Sequence, residues 1–381
     1  MLNIKHLNTD FHQTARNLKK RGFKLSTDII RQYRSLLKNQ QELERIASHL
    51  NKGVASPDTK TRFKELKASI DSQKVVLHNN LSVIPNLLHD NTPTGKDESA
   101  NKIVKVVGIP TKPIETDYLK VANSHGLNLP DAVKLTKSRF NVMSGDMAKL
   151  QRKLLNSAID FYESFGYELH YVPYLVNENT MFGTGQYPKF KEDLFAVDDL
   201  YLIPTGEVPL TNLFNNKTID DQNFVFSGMT HTPCFRKEAG SAGKDTSGII
   251  RQHQFEKVEL VKVCVPDRAE QEFQKLLDNI ESFVSSFNIP YRIIELCSGD
   301  IGFSGHRAFD IEVWFPSQNK YREVASITWC HDFQARRMNA KFKNGKKSEL
   351  LHTMNGTGLA VGRIIAALID NFGNDAFVTL K

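Results

Sequence analysis

Tryptophan and cysteine are scarce in this 381-residue chain, with two of the former and four of the latter. No apolar run approaches the roughly 20 residues that cross a bilayer, so no membrane partner is expected. Cys234, Cys264, Cys297 and Cys330 lie far apart without paired ligand spacing, so they suggest neither a zinc knuckle nor a disulfide framework. They read as reduced thiols packed as small apolar residues. The N-terminal MLNIKHLNTDFHQTARNLKKRG alternates apolar and polar residues at helical spacing and lacks the apolar core and cleavage site of a secretory signal. Asp10 and that regular pattern also argue against a mitochondrial presequence, which leaves a cytoplasmic location as the expectation. A Walker loop and a GxGxxG are both missing. A nucleotide would therefore be held by side chains on a sheet and not by a phosphate-cradling helix N-terminus.

What remains is globular material with a basic bias. Hydrophobic residues make up 40% of the chain, enough for two domains. The net charge of +7 and a pI near 9.0 favour an acidic partner, nucleic acid foremost; a mildly basic enzyme has the same balance. From 26 to 88 a heptad runs through Ile29, Leu36, Leu43 and Leu50, with Tyr33, Gln40 and Ala47 in the intervening seam positions. After the break GVASPD it resumes with Phe63, Ile70, Leu77 and Ile84, supported by Leu66. Two such helices predict an antiparallel coiled-coil hairpin, capped at Ser26-Thr27-Asp28 and ending at Pro85. Gln40, Gln73 and Asn80 weaken the seam and point to a marginal, mobile arm; a helical pair lying against the body is the alternative.

Beyond about residue 110 the period changes from helical to two. AFDIEVWF (308–315) alternates Phe309, Ile311, Val313 and Phe315 with Asp310, Glu312 and Trp314, and ELVKVCV (259–265) and YREVASITW (321–329) are likewise strand-like. Such strands, with few βαβ units between them, predict an α+β fold with an antiparallel sheet flanked by helices. The expected division is 1–100 for the helical part and 110–381 for the sheet part.

Several residues sit oddly in that frame. Glu259 is in phase with Val261, Val263 and Val265, so it reaches solvent at a strand end or enters a cavity beside a hydroxyl, an ammonium or an arginine. Arg236 and Glu238 precede a glycine-rich stretch containing Lys244, Asp245 and Arg251; if extended they face the same way, as a phosphate-binding fork and an amino-group acceptor or as an exposed ion pair. Phe255 either stacks on a planar ring or fills the core. NGTGLAVGRIIAALIDN (355–371) reads as a Gly-rich turn feeding an apolar helix, where Arg363 is the one charge between Leu359 and Leu368 and calls for an anionic or aromatic partner.

These pieces, in this order, resemble motifs 2 and 3 of class II aminoacyl-tRNA synthetases. TGEVPL, TPCFRKEAGSAGKDTSGIIRQHQFEKVEL, DFQARRMNA and HTMNGTGLAVGR are similar to the bacterial-type seryl-tRNA synthetase family nearly word for word. GYELHYVPYLVNENTMFGTGQYPKF resembles its motif 1 region, with Pro173 at the motif's proline, and the coiled-coil hairpin resembles its tRNA-binding arm. The resemblance implies that L-serine attacks the α-phosphate of ATP and that tRNA(Ser), and by the same token tRNA(Sec), takes the acyl group. It also implies a homodimer in which one arm reaches tRNA bound mainly on the other subunit.

Carried over by resemblance, Arg236, Arg363 and Glu323 are the catalytic residues. Arg236 bridges the α-phosphate and the serine carboxylate, Glu238 accepts from the adenine amino group, Phe255 stacks on the ring, and Arg363 meets the γ-phosphate and the ring's other face. Lys237, Val324, Ala325 and Ser326 complete the implied ATP site, and Glu323 and Ser326 are the implied Mg²⁺ ligands. Thr205, Gly206, Glu207, Arg236, Glu259, Asn355 and Thr357 form the implied serine pocket, with Glu259 accepting from the substrate hydroxyl. The loop Gly240 to Gly248 would contact ATP and then the tRNA acceptor end.

The chain departs from the family at Gly206, where alanine is usual, and at Ala325, Ile327, Thr328 and Trp329, which replace most of an S-S-C-S-N stretch. Trp329 is expected to alter the pocket floor. The arm is short and the ending NFGNDAFVTLK lacks the family's usual V-P-x-x-L-x-P-Y. The Trp329 segment and the short arm motivate one competitor, a paralogue that activates an amino acid for a non-tRNA acceptor; a non-catalytic RNA-binding or regulatory homologue is another.

Overall fold

A computed structural model describes residues 1–51, 57–112, 117–239 and 248–378. The chain divides into two compact units, Met1–Leu87 and Leu88–Lys381. The boundary lies earlier than the 100–110 region because Lys102–Val107 is a strand of the large sheet.

Among the described residues the first unit contains four helices: α1 (Ile4–Thr9), α2 (Phe11–Lys20), α3 (Asp28–Asn51) and α4 (Pro57–Ser82). Ser26 Oγ accepts from the Asp28 backbone N–H at 3.1 Å, which begins α3 at the expected cluster. Helix α4 ends at Ser82, before Pro85, because the residue preceding a proline is pushed out of helical backbone. Ile29, Tyr33, Leu36, Leu66, Ile70 and Leu77 are buried, whereas Leu43, Leu50 and Phe63 are only partly covered. Two of the seam amides are paired across the hairpin. Asn80 donates to Gln32 at 2.9 Å, and Gln73 donates to Ser35 at 3.2 Å while accepting from Asn39 at 3.0 Å. Residues late in α4 thus meet residues early in α3, as an antiparallel hairpin requires, and the polar ladder fixes its register at some cost in stability.

The second unit is built on an eight-stranded sheet: β1 (Lys102–Val107), β2 (Glu168–Leu169), β3 (Val225–Phe235), β4 (Gln254–Cys264), β5 (Tyr291–Glu295), β6 (Arg307–Phe315), β7 (Lys320–His331) and β8 (His352–Ala360). Its spatial order is β1-β5-β6-β7-β8-β4-β3-β2, antiparallel except for the short parallel β2–β3 pair. Five helices bear on the argument: α5 (Gly145–Ser164), α6 (Glu207–Thr211), α7 (Ala269–Ser285), α8 (Phe333–Met338) and α9 (Val361–Phe372). One sheet face packs Val258, Leu260, Ile311, Ile327 and Leu359 against α5, α7 and α9 in the main core. On the other face Val261, Val263 and Val265 meet residues of α6 and α8 in a smaller cluster. The four cysteines are free and buried.

Asn355 to Ala360 belong to a central strand and not to the turn expected from their glycines. A Cβ on Gly356 would collide with Ile280 of α7, and one on Gly358 would lie 2.8 Å from Tyr162 of α5. The glycines therefore let two helices approach the strand, and Tyr162 donates to the Gly358 carbonyl at 2.8 Å.

Candidate active site

Two β-bulges aim the polar residues. Pairing runs Ile311↔Ala325 and then Glu312↔Glu323, so Val324 is an extra residue on β7. Residues three apart on a regular strand face opposite ways; the bulge turns Glu323 and Ser326 toward the same cavity. Likewise Val258↔Leu359 is followed by Glu259↔Thr357, which leaves Gly358 extra on β8. Asn355, Thr357 and Ala360 consequently share a wall with Lys257 and Glu259. The cavity so formed encloses about 330 Å³.

At one end lie two buried glutamates. Glu259, 2% exposed, forms an ion pair through Oε2 with Lys257 and accepts there from Thr205 Oγ1 at 3.2 Å. Lys257 also donates to Thr205 Oγ1 at 2.8 Å. The partner that the valine-phase carboxylate demanded is thus a lysine on its own strand. Glu207 Oε1 accepts from Gln334 Nε2 at 2.7 Å and Asn355 Nδ2 at 2.9 Å. Burial, reinforced by Glu259, pushes the Glu207 carboxyl up to about 7.

At the other end Arg363, on the first turn of α9, donates to Glu323 Oε1 at 2.8 Å and to the Glu323 carbonyl at 3.1 Å. That guanidinium holds the Glu323 carboxyl below its usual value. Arg236 donates from Nε to the Pro204 carbonyl at 3.1 Å, and its guanidinium lies 5.2 Å from the centroid of the half-buried Phe255. Glu238 is not extended: its φ is +55°, and its carboxylate binds Arg251 at 2.5 Å. Asp310, opposite Ser326 on β6, is half-buried, with its Oδ1 buried and unpartnered. Burial, then Glu323, push its carboxyl well above the usual range.

Thr205, Glu207, Arg236, Glu238, Phe255, Glu259, Glu323, Val324, Ser326, Asn355, Thr357 and Arg363 all line this one cavity. Three of the implied residues do not. Gly206 packs behind it, where a Cβ would lie 2.6 Å from Thr230 Cγ2. Lys237 sends its ammonium over Phe195, 5.8 Å from the centroid. Ala325 is buried in the main core. Trp329 does not floor the cavity either; it is 7% exposed, faces Phe273 in the core and is ringed by His89, His306, His331 and His352. Of the loop Gly240 to Gly248, positions 240–247, including Lys244 and Asp245, lie outside the described residues. Lys257, Arg251 and Gln334 were not assigned from sequence. The signal for Lys257 was present, since period two sets it on the face of Glu259.

Residues 189–372 match the family model of the tRNA synthetase class II core domain (G, H, P, S and T). The whole chain is 42% identical to the serine–tRNA ligase of Hydrogenovibrio crunogenus, covering 97% of that relative. The chain belongs to the serine–tRNA ligase family. A second serine–tRNA ligase, from Helicobacter pylori strain J99, is 41% identical across 97% of this chain and 96% of the relative. Among solved structures, the seryl-tRNA synthetase of Pyrococcus horikoshii complexed with ATP superposes with a TM-score of 0.84 at 31% identity, covering 97% of this chain and 94% of that one. The cytoplasmic serine–tRNA ligase of Naegleria fowleri in complex with AMP gives 0.87 at 28% identity, covering 95% and 90%.

Proposed function

We propose that the protein activates L-serine with ATP to seryl-adenylate and transfers the acyl group to tRNA(Ser) and, by the family resemblance, to tRNA(Sec). The observation that carries this reading is the meeting, in one cavity, of a buried carboxylate end suited to an amino acid and an arginine end suited to phosphate. A serine carboxylate oxygen bonds to the α-phosphorus as the bond to the β-phosphate's bridging oxygen breaks, and pyrophosphate leaves. Arg236 spans the two reactants and offsets the charge gathered between them. Arg363 leaves Glu323 for the γ-phosphate, Glu238 accepts from the adenine amino group, and Phe255 supplies a stacking surface. Lys237 and Ala325 have only main chain to offer there.

At the amino-acid end, Glu259 Oε2 is occupied by Lys257 and Thr205, while Oε1 takes no hydrogen bond from a described residue. That oxygen accepts from the serine hydroxyl, and alanine in the same place would leave it unpaired. Glu323 and Ser326 offer hard oxygens to Mg²⁺, with the orphaned Asp310 Oδ1 nearby. Among the described residues no group of three or more His, Cys, Asp or Glu forms a metal site, which suits an ion that keeps water and phosphate oxygens. Mg²⁺ held there would neutralise charge between the phosphates.

Two surface features support the rest of the reading. Leu169 on edge strand β2, with Phe165 and the 88%-exposed Tyr171 beside it, suits a homodimer interface. The α3–α4 hairpin offers a tRNA-binding arm. No helix among the described residues is long and apolar enough to cross a membrane, which is compatible with a cytoplasmic location. Serine-dependent ATP–pyrophosphate exchange tests the central claim, and its absence in folded protein would count decisively against it. Exchange without charging of tRNA(Ser) would point instead to a non-tRNA acceptor.

A further inference from the structure

Gln334 has no part in the chemistry above, yet it is 1% exposed and every polar atom of its amide is engaged. Nε2 donates to Glu207 Oε1 at 2.7 Å and to the Thr184 carbonyl at 3.2 Å; Oε1 accepts from Thr353 Oγ1 at 2.6 Å. Only one amide orientation satisfies these partners, because the flipped group would set oxygen against a carboxylate and a carbonyl. Glu207 and the Thr184 carbonyl therefore decide which way Gln334 points, and the Thr353 hydroxyl, fully buried on β8, anchors its Oε1.

Glu207 Oε1 also accepts from Asn355 Nδ2 at 2.9 Å, so both donors converge on the same oxygen. Oε2 takes no hydrogen bond from any described residue, and Glu207 lines the cavity. Its neighbour Glu259 is already neutralised by Lys257, so Glu207 is the carboxylate whose charge is available to a substrate ammonium. We propose that Gln334, anchored by Thr353, is a positioning residue that turns Glu207 Oε2 toward the serine ammonium and confines any Glu207 proton to that oxygen, so that serine binding expels it. The inference rests on the reading of Thr205, Glu207 and Glu259 as the amino-acid end.

The groups facing Glu207 set the direction of the effect. Glu259 on β4 raises its carboxyl, Gln334 on α8, Lys257 on β4 and Arg236 after β3 lower it, and the Cys330 thiol on β7 is kept neutral by burial. Loss of the Gln334 donor must therefore move Glu207 further up. Gln334→Met keeps the volume and removes the donor.

Exchange measured from roughly pH 6 to 9 should show about a tenfold higher KM for serine at neutral pH in this variant, with KM for ATP within about twofold. The acid limb of its serine profile should shift to higher pH. Thr353→Val should move both quantities the same way but less, and Thr353→Ser should restore the wild-type profile. If Gln334→Met does not fold, the threonine pair decides alone. Calorimetric titration of serine near pH 7 in two buffers of different ionisation enthalpy should register proton release by the wild type. Serine profiles that superimpose across these variants, or the absence of proton release, overturn the inference while leaving serine activation intact. A wild type that neither exchanges nor binds serine overturns both readings.

Discussion

The two ends of the cavity each hold a glutamate in play, but with opposite electrostatics. Glu323 is answered by the full positive charge of Arg363 and stays ionised. Glu207 is answered by two neutral amides and sits near 7. Glu323 keeps part of its water and faces a guanidinium, whereas Glu207 is buried and amide dipoles offset its lost water only in part. The Glu323–Arg363 pair is therefore balanced before any phosphate arrives, and on the proposed function Arg363 exchanges one anion for another. The amino-acid end is left short of one positive charge, which an amino acid brings.

The sharpest way to break this contrast is to remove the balanced charge. Arg363→Ala strands Glu323 and takes away the proposed phosphate partner, so the exchange rate should fall by roughly 10²–10³-fold in steady-state assays. Next comes Glu207→Gln, which keeps an acceptor toward Gln334 and Asn355 but offers the ammonium no charge; KM for serine should rise on the order of a hundredfold. The same variant changes stability in a defined direction. A carboxyl raised from 4.5 to about 7 by folding contributes stability that is complete below pH 4.5 and is lost as pH climbs through 7. Denaturant unfolding at pH 8 should therefore find unliganded Glu207→Gln more stable than wild type, by up to about 3 kcal/mol. The smallest effect on activity belongs to Trp329→Phe. It should lower unfolding stability by about 1–2 kcal/mol while both substrate KM values stay within roughly threefold, because the indole lies in the core.

The legible parts of this molecule were those written in a regular period. Heptads gave the α3–α4 hairpin, and alternation gave β4, β6 and β7 because each has one face against a core. Arg363 announced its need for a partner through the apolar residues around it, and Glu323 supplies the charge. The site geometry was harder to read because it depends on exceptions to the period. The bulges at Val324 and Gly358 leave no local mark, yet without them Glu323 and Ser326, or Thr357 and Ala360, would face opposite ways. Gly356 and Gly358 suggested a turn because their true role, admitting Ile280 and Tyr162, depends on helices distant in sequence. Trp329 could have been placed by parity alone: Ala325, Ile327 and Trp329 alternate onto the core face, away from Ser326.

Helix α9 begins at Val361, the residue directly after β8 ends, so no joint separates Asn355 and Thr357 from Arg363. Gly362 seals the junction against the Ile249 carbonyl, where a methyl group would stand 2.8 Å away. The strand residues at the carboxylate end and the arginine at the other end thus travel as a single lever. Selection cannot retune one without tilting the other.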